Sequence, residues 1–227
     1  LLSFSQSLDL VLGKADAVVS AEGIPFDETH LKKLLPLREW IKAYPVIEGY
    51  GVEESSGEVV EILGTDLLQD TGIRDFSLKT TGNDLAGLLP LILDPKSIIL
   101  PGKFIPGTNF EPGQPLNFLV KGKTRELHVN AVLADKGIAK ALNGNFALMD
   151  IAGAQLLFDK IGKLDRIDIE FRKEAKFNEM QEKIRAVLPE FLRVDRPERK
   201  NSQVEKMLRA FQYNLSALSF VALLVGL

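Results

Sequence analysis

The chain has 227 residues, of which 45% are hydrophobic and 26% charged, with a formal net charge of -3 and no cysteine. That length and composition bound it to one large or two small globular domains with a substantial core. The charge balance excludes the basic field that nucleic acid demands, and the missing cysteines exclude disulfides and thiolate metal sites.

Leu1, Phe4, Leu8 and Val11 recur at helical spacing, which predicts an amphipathic helix over Leu1–Leu12 ended at Gly13. Ser3, Ser5, Gln6 and Asp9 and the lack of a basic start argue against a signal peptide there. Ala15–Ala21 is a β-branched run that reads as a strand. Asp27 then caps a helix whose apolar face is Leu31, Leu34 and Leu35, with Pro36 disturbing its end. Ala43–Val52 and Glu58–Gly64 read as two strands around the turn Glu53–Gly57, completing a β-α-β-β unit. His30, inside the helix, is expected at the surface or in the first turn rather than on a metal. The Glu53-Glu54 pair is expected as solvated turn surface.

From Thr65 to Asp94 the pattern is irregular, and Asp66, Asp70, Asp75 and Asp84 read as turn and cap residues. Their spacing lacks the alternate ligands, central glycine and closing glutamate of a calcium loop. Strands follow at Ser97–Leu100, Leu116–Lys121 and Thr124–Leu133, the last two meeting at the hairpin signal Lys121-Gly122-Lys123. Gly122-Lys123-Thr124 imitates the end of a phosphate-binding loop, but position 117 is Asn117 and strands flank it on both sides. His128 lies within the later strand, with no carboxylate or second histidine at ligand spacing in the sequence.

Phe146–Met149 reads as a strand, and Asp150 caps a short helix, Ile151–Asp159, closed by Gly162. The early pattern then recurs. Leu164–Phe171 alternates apolar and charged residues, Glu174–Leu188 carries Phe177, Met180, Ile184, Val187 and Leu188 on one helical face, and Glu190–Val194 is a short strand. Two such units closing one sheet, with a proline- and glycine-rich strand module between them, give an α+β fold.

The last stretch, Met207–Leu227, organises the chain. Val204, Leu208, Phe211, Leu215 and Leu218 alternate spacings of four and three, continued by Ala222 and Val225. Either Asp195 with Glu198 or Ser202 with Glu205 supplies a capping box at its start. The uncharged run from Leu215 stops at Leu227, and position 1 is Leu1 rather than methionine. A membrane helix needs about 20 apolar residues, so the expectation is a fragment whose last helix enters a membrane. The alternative is a core helix. The two terminal helices either pair as a stalk or pack separately on the domain.

Catalytic signatures are missing. There is no G-x-S-x-G elbow and no complete dinucleotide or Walker motif, and the only histidines are His30 and His128. No cofactor, metal site or enzymatic activity is expected.

Several segments carry a resemblance. Phe146–Glu170 (FALMDIAGAQLLFDKIGKLDRIDIE) and Glu111-Pro112-Gly113-Gln114 entering the strand LNFLVKG resemble passages of MacB/FtsX-type ABC transporter permeases. Met207–Leu227 resembles the start of that family's second transmembrane helix, and Ala15-Asp16 resembles the point just beyond its first. The family frequently has glycine where Asn130-Ala131 stands here.

The resemblance implies an extracytoplasmic domain between transmembrane helices one and two. Residues 1–14 would be a stalk helix with Phe4, Leu8 and Val11 on its packing face. Residues 15–74 and 150–196 would form a porter-like half built from the two β-α-β units. Residues 75–149 would be an inserted, mainly β, Sabre-like half. Residues 197–227 would be a second stalk helix leading into the membrane, with Val204, Leu208, Phe211, Leu215 and Leu218 as its lever face. Such a domain is noncatalytic and sits on the periplasmic side of the inner membrane. Its implied partners are an ABC ATPase subunit or domain, a second permease copy as homodimer or heterodimer, and a periplasmic adaptor or lipoprotein carrier. It would couple ATP hydrolysis to export of an amphiphile, whether lipoprotein, lipid or peptide. A membrane-anchored ligand-binding or sensor module without an ATPase is the competing reading.

Overall fold

The computed structural model describes residues 15–69, 78–79, 85–105, 110–133, 145–172 and 175–197. The first strands come from short β-branched or alternating runs: β1 (Ala17–Ser20), β2 (Phe26–Asp27), and the long β3 (Ile41–Glu53) with β4 (Val59–Thr65). A 3-10 helix, Glu28–Leu37, fills the place of the predicted α-helix. Pro36 lacks the amide that a regular α-helical turn needs there, and the tighter winding suits a short connector.

After β5 (Leu78–Lys79), α1 spans Leu85–Leu93 in a stretch whose sequence reads as irregular. Pro90 inside it masks the helical signal, yet the run is apolar, and Leu91 is buried. The strands β6 (Ser97–Pro101), β7 (Gln114–Val120), β8 (Lys123–Leu133) and β9 (Phe146–Asp150) follow. The last described elements are α2 (Ile151–Leu157), β10 (Lys163–Leu164), β11 (Arg166–Phe171), α3 (Phe177–Val187) and β12 (Arg193–Asp195).

Two layered units share β3. In the first, the sheet order is β12-β1-β11-β3, and every neighbouring pair is antiparallel. Helical elements follow β1 and β11, so the order is that of a split β-α-β pair of ferredoxin-like kind. Ala17, Val19, Ile167, Ile169 and Val194 meet Leu34 of the 3-10 helix and Met180 and Ile184 of α3 on one face.

In the second unit the pairings run β3-β4-β9-β6-β8-β7 and return to β3, a closed ring of six strands. Closure removes free sheet edges over most of the ring. Its interior holds Ile47, Val60, Ile62, Phe118, Val129 and Met149, among others. The side chains of alternate parity face outward, where Val46, Leu63, Ile99 and Leu148 pack with Leu91 and Ile92 of α1. α2 caps one end of the ring with Leu157 and Phe158.

Candidate functional site

β3 changes partners along its length, and the residues at that change form the best-defined polar cluster among the described residues. From Ile41 to Val46 it pairs with β11, from Val46 to Val52 with β4, and at Val52 and Glu53 with β7. Between Val46 and Val52 the edge that β11 has left is not yet taken by β7. Unpaired buried backbone groups are costly, and here side chains satisfy them. Asp165 Oδ2 accepts the Glu48 N–H at 2.7 Å, and Lys160 Nζ donates to the Glu48 carbonyl at 2.9 Å. Lys160 and Asp165 are joined to each other at 2.6 Å.

Gly49 lets the Phe158 ring lie directly against the strand, since a Cβ there would overlap the ring. Gly64 does the same for Ala154 of α2.

Arg166, the first residue of β11, is 3% exposed. It ion-pairs with Glu48 of β3 and with Asp168 at 2.7 Å. Its Nη2 is buried and finds no hydrogen-bond partner among the described residues. Further along the same face, Glu170 accepts from Lys42 at 3.2 Å and from the Tyr44 hydroxyl at 2.9 Å. Glu48, Lys42 and Tyr44 reach across the β3–β11 pair, while Asp168 sits on β11 beside Arg166, so the stripe locks the two strands where the sheet gives way to the ring.

The opposite end of β11 is tied to the strands at which the chain comes into and out of the sheet. Asp16 donates its N–H to the Ile169 carbonyl and accepts from the Phe171 N–H, both at 2.7 Å. Phe171 packs on Phe177, and the Arg196 guanidinium lies 4.3 Å from the Phe177 ring centroid.

The structure corrects the expectation for Glu53 and adds a distant partner for His128. Glu53 is 2% exposed rather than solvated, and its carboxylate accepts hydrogen bonds from Ser55 and Ser56. Burial works against its charge, but these hydrogen bonds outweigh it and hold the carboxyl below its ordinary range. His128 does have a carboxylate partner, Asp94, with Nδ1 2.6 Å from Oδ2; Asp94 comes from 34 residues earlier. Burial of Asp94 opposes its ionisation, but the bonds from His128 and the Lys96 N–H prevail and lower its pKa.

His30 is half-buried, its ring between Phe26 and Phe191, and its Nδ1 lacks a hydrogen-bond partner among the described residues. Gly122 and Lys121 form a two-residue turn with both φ values positive, a hairpin tip and no phosphate cradle. Asp66 accepts from the N–H groups of Leu68 and Gln69, a turn residue.

Among the described residues no group of three or more acidic or histidine side chains is placed to hold a metal. No described helix is long and apolar enough to cross a membrane. The expected stalk residues Phe4, Leu8, Val11, Val204, Leu208, Phe211, Leu215 and Leu218 lie outside the described residues, as does the predicted membrane entry.

The fold is shared with two solved extracytoplasmic domains. One is the periplasmic region of MacB from Actinobacillus actinomycetemcomitans, at TM-score 0.50 and 10% identity, covering 85% of this chain and 94% of that one. The other is the extracellular domain of the noncanonical ABC-type transporter YknZ from Gram-positive bacteria, at TM-score 0.51 and 11% identity, covering 75% of this chain and 89% of that one. The architecture is thus the mixed α+β fold of MacB-type extracytoplasmic domains.

In sequence, the chain is similar to a particular relative, an uncharacterized ABC transporter permease protein of Mycobacterium tuberculosis. The two are 29% identical over 186 residues, a match that spans 81% of this chain but only 21% of that protein. No protein-family model matches the chain.

Proposed function

We propose that this chain is the noncatalytic extracytoplasmic part of an ABC transporter permease, inserted between its first two membrane helices. The observation that carries the reading is where the chain comes into and out of the sheet. β1 and β12 are adjacent antiparallel strands, with Val18 opposite Asp195, so the preceding and following segments start side by side at one end of the sheet. A loop domain carried on two neighbouring membrane helices requires that placement. The similarity to a permease over most of the chain supports the same reading.

Within it, residues 15–74 and 150–196 form the porter-like part and residues 75–149 the Sabre-like insert, with β3 and β4 as the seam. Residues 1–14 and 197–227 act as stalks, carrying movement driven by ATP hydrolysis in a separate or fused ATPase. The domain lies on the outer side of the cell's inner or plasma membrane. It works with a second permease copy, and its substrate is an amphiphile: a lipoprotein, a lipid or a peptide. A periplasmic adaptor or carrier receives it.

These 227 residues hold no cysteine, so the test needs only that any cysteine elsewhere in the full-length protein be replaced first. In the full-length permease, Lys123→Cys at the exposed hairpin tip is expected to react with a membrane-impermeant maleimide in intact cells. Labelling only after lysis would place the domain in the cytoplasm and end the proposal.

A further inference from the structure

We infer that the slot between β8 and α2 binds an extended peptide segment, which adds to the open edge of β8 as one more strand. The ring of strands is incomplete at one place. β7 covers β8 from Lys123 to Val129, but β6 covers its other side only from His128 onward. Over residues 123–127 that second edge has no strand partner among the described residues.

The register decides which backbone groups are free. In a two-residue hairpin the closing pair, here Val120 and Lys123, is hydrogen-bonded, and bonded and non-bonded pairs alternate from it. Thr124, Glu126 and His128 therefore direct their N–H and C=O groups away from β7. His128 confirms the direction, because its N–H reaches the Lys96 carbonyl at 2.9 Å on the β6 side. Thr124 and Glu126 have the same orientation, and no strand among the described residues meets them. They face a cavity of about 400 Å³ walled by α2 and by Pro95 and Lys96, within the range of roughly 300–1,000 Å³ of ligand sites.

Floor and walls suit alternate side chains of a strand. Leu127 and Leu157 are buried beneath, and Leu156 stands half-exposed on α2. Lys96 marks the rim, only loosely paired to Glu126 at 3.7 Å, so an acidic side chain on the incoming strand meets a cation there. α2 is held at this distance by Gly153, where a Cβ would come within 2.6 Å of the Pro95 carbonyl oxygen. A peptide in β conformation matches free donors and acceptors spaced every second residue, together with apolar pockets between them. An acyl chain matches the leucines alone.

The inference goes beyond the permease reading, and its test runs on this chain alone, so failure of either leaves the other standing. The probe is the peptide acetyl-Val-Thr-Val-Glu-Val-Thr-Val-amide at saturating concentration, read by amide hydrogen exchange. Exchange at Thr124 and Glu126 is expected to slow by about tenfold or more, as for a newly made backbone hydrogen bond. The same peptide N-methylated at every residue, which leaves no N–H on either edge, is expected to give no protection.

Glu126→Pro deletes one outward N–H while sparing the β7 ladder, and should weaken binding by about tenfold. Leu156→Asp, on an exposed position, should weaken it as well. Protection by laurate or by the N-methylated peptide equal to that by the free peptide would overturn the proposal in favour of a slot for apolar chains. No protection by the free peptide would overturn it outright.

Discussion

Asp27 shows how much one side chain can do at a helix start. Its Oδ1 accepts from the Thr29 hydroxyl at 2.6 Å and from the Thr29 N–H at 3.0 Å. Those bonds hold its carboxyl well below the usual 3.8, at about 2. A depressed acid stabilises the fold fully above the unfolded pKa, and this contribution is lost as pH falls through the folded one. Asp27→Ala should therefore lower the melting temperature at pH 6, with the difference fading between about pH 4 and pH 2. Melting curves of both proteins across that window check it.

Arg166 tests the seam. Replacing it by methionine leaves Glu48 and Asp168 without their cation, and breaking a buried pair in this way costs about 3–5 kcal/mol. Arg166→Met should lose that much in urea unfolding, and the further changes Glu48→Gln and Asp168→Asn should restore most of it. No restoration would mean that the charges are not the cause. The sequence shows Asp27 as a cap, but it hides Glu53 and the Asp94–His128 pair. The first depends on a turn folding back over its own carboxylate, and the second on strands far apart in the chain.

Among the elements, β3 is the one on which the two units depend. Its first half belongs to the ferredoxin-like sheet and its second to the ring, and the strand runs unbroken for 13 residues. The glycines at this seam serve close approach of α2 and its following turn. Gly64→Ala would drive a methyl group into Ala154 of α2. Overpacking of this kind costs about 1–3 kcal/mol, expected as a lower urea midpoint at unchanged m-value. α1 carries the opposite lesson. Its helical periodicity is obscured by Pro90, and only burial of Leu91 against the outer face of the ring makes it a helix.

Across the whole molecule, β11 connects the place where the chain comes into and out of the sheet to the seam with the ring. Asp16 and, through Phe177, Arg196 hold one end, and Arg166 and Glu48 hold the other. Movement of the proposed stalks would thus reach the ring along one strand. In the full-length permease, Leu208→Asp with Phe211→Asp is expected to abolish transport while ATP hydrolysis continues. Normal transport at normal expression would remove the lever from the proposed function.

The sequence alone determined the elements whose signals are local. Alternation along Leu164–Phe171, the apolar face of Glu174–Leu188, the caps Asp27 and Asp150, and the Lys121-Gly122 hairpin all concern residues within a turn or two of each other. The segments resembling MacB/FtsX-type permeases added the class of fold. Only the tertiary structure decided that six strands close into a ring and that β3 is shared. It alone decided that Arg166 meets Glu48 and that, among the described residues, one edge of β8 has no strand partner. Strand pairing and ion pairing between distant segments are set by which surfaces bury together, and no spacing in the chain records that choice.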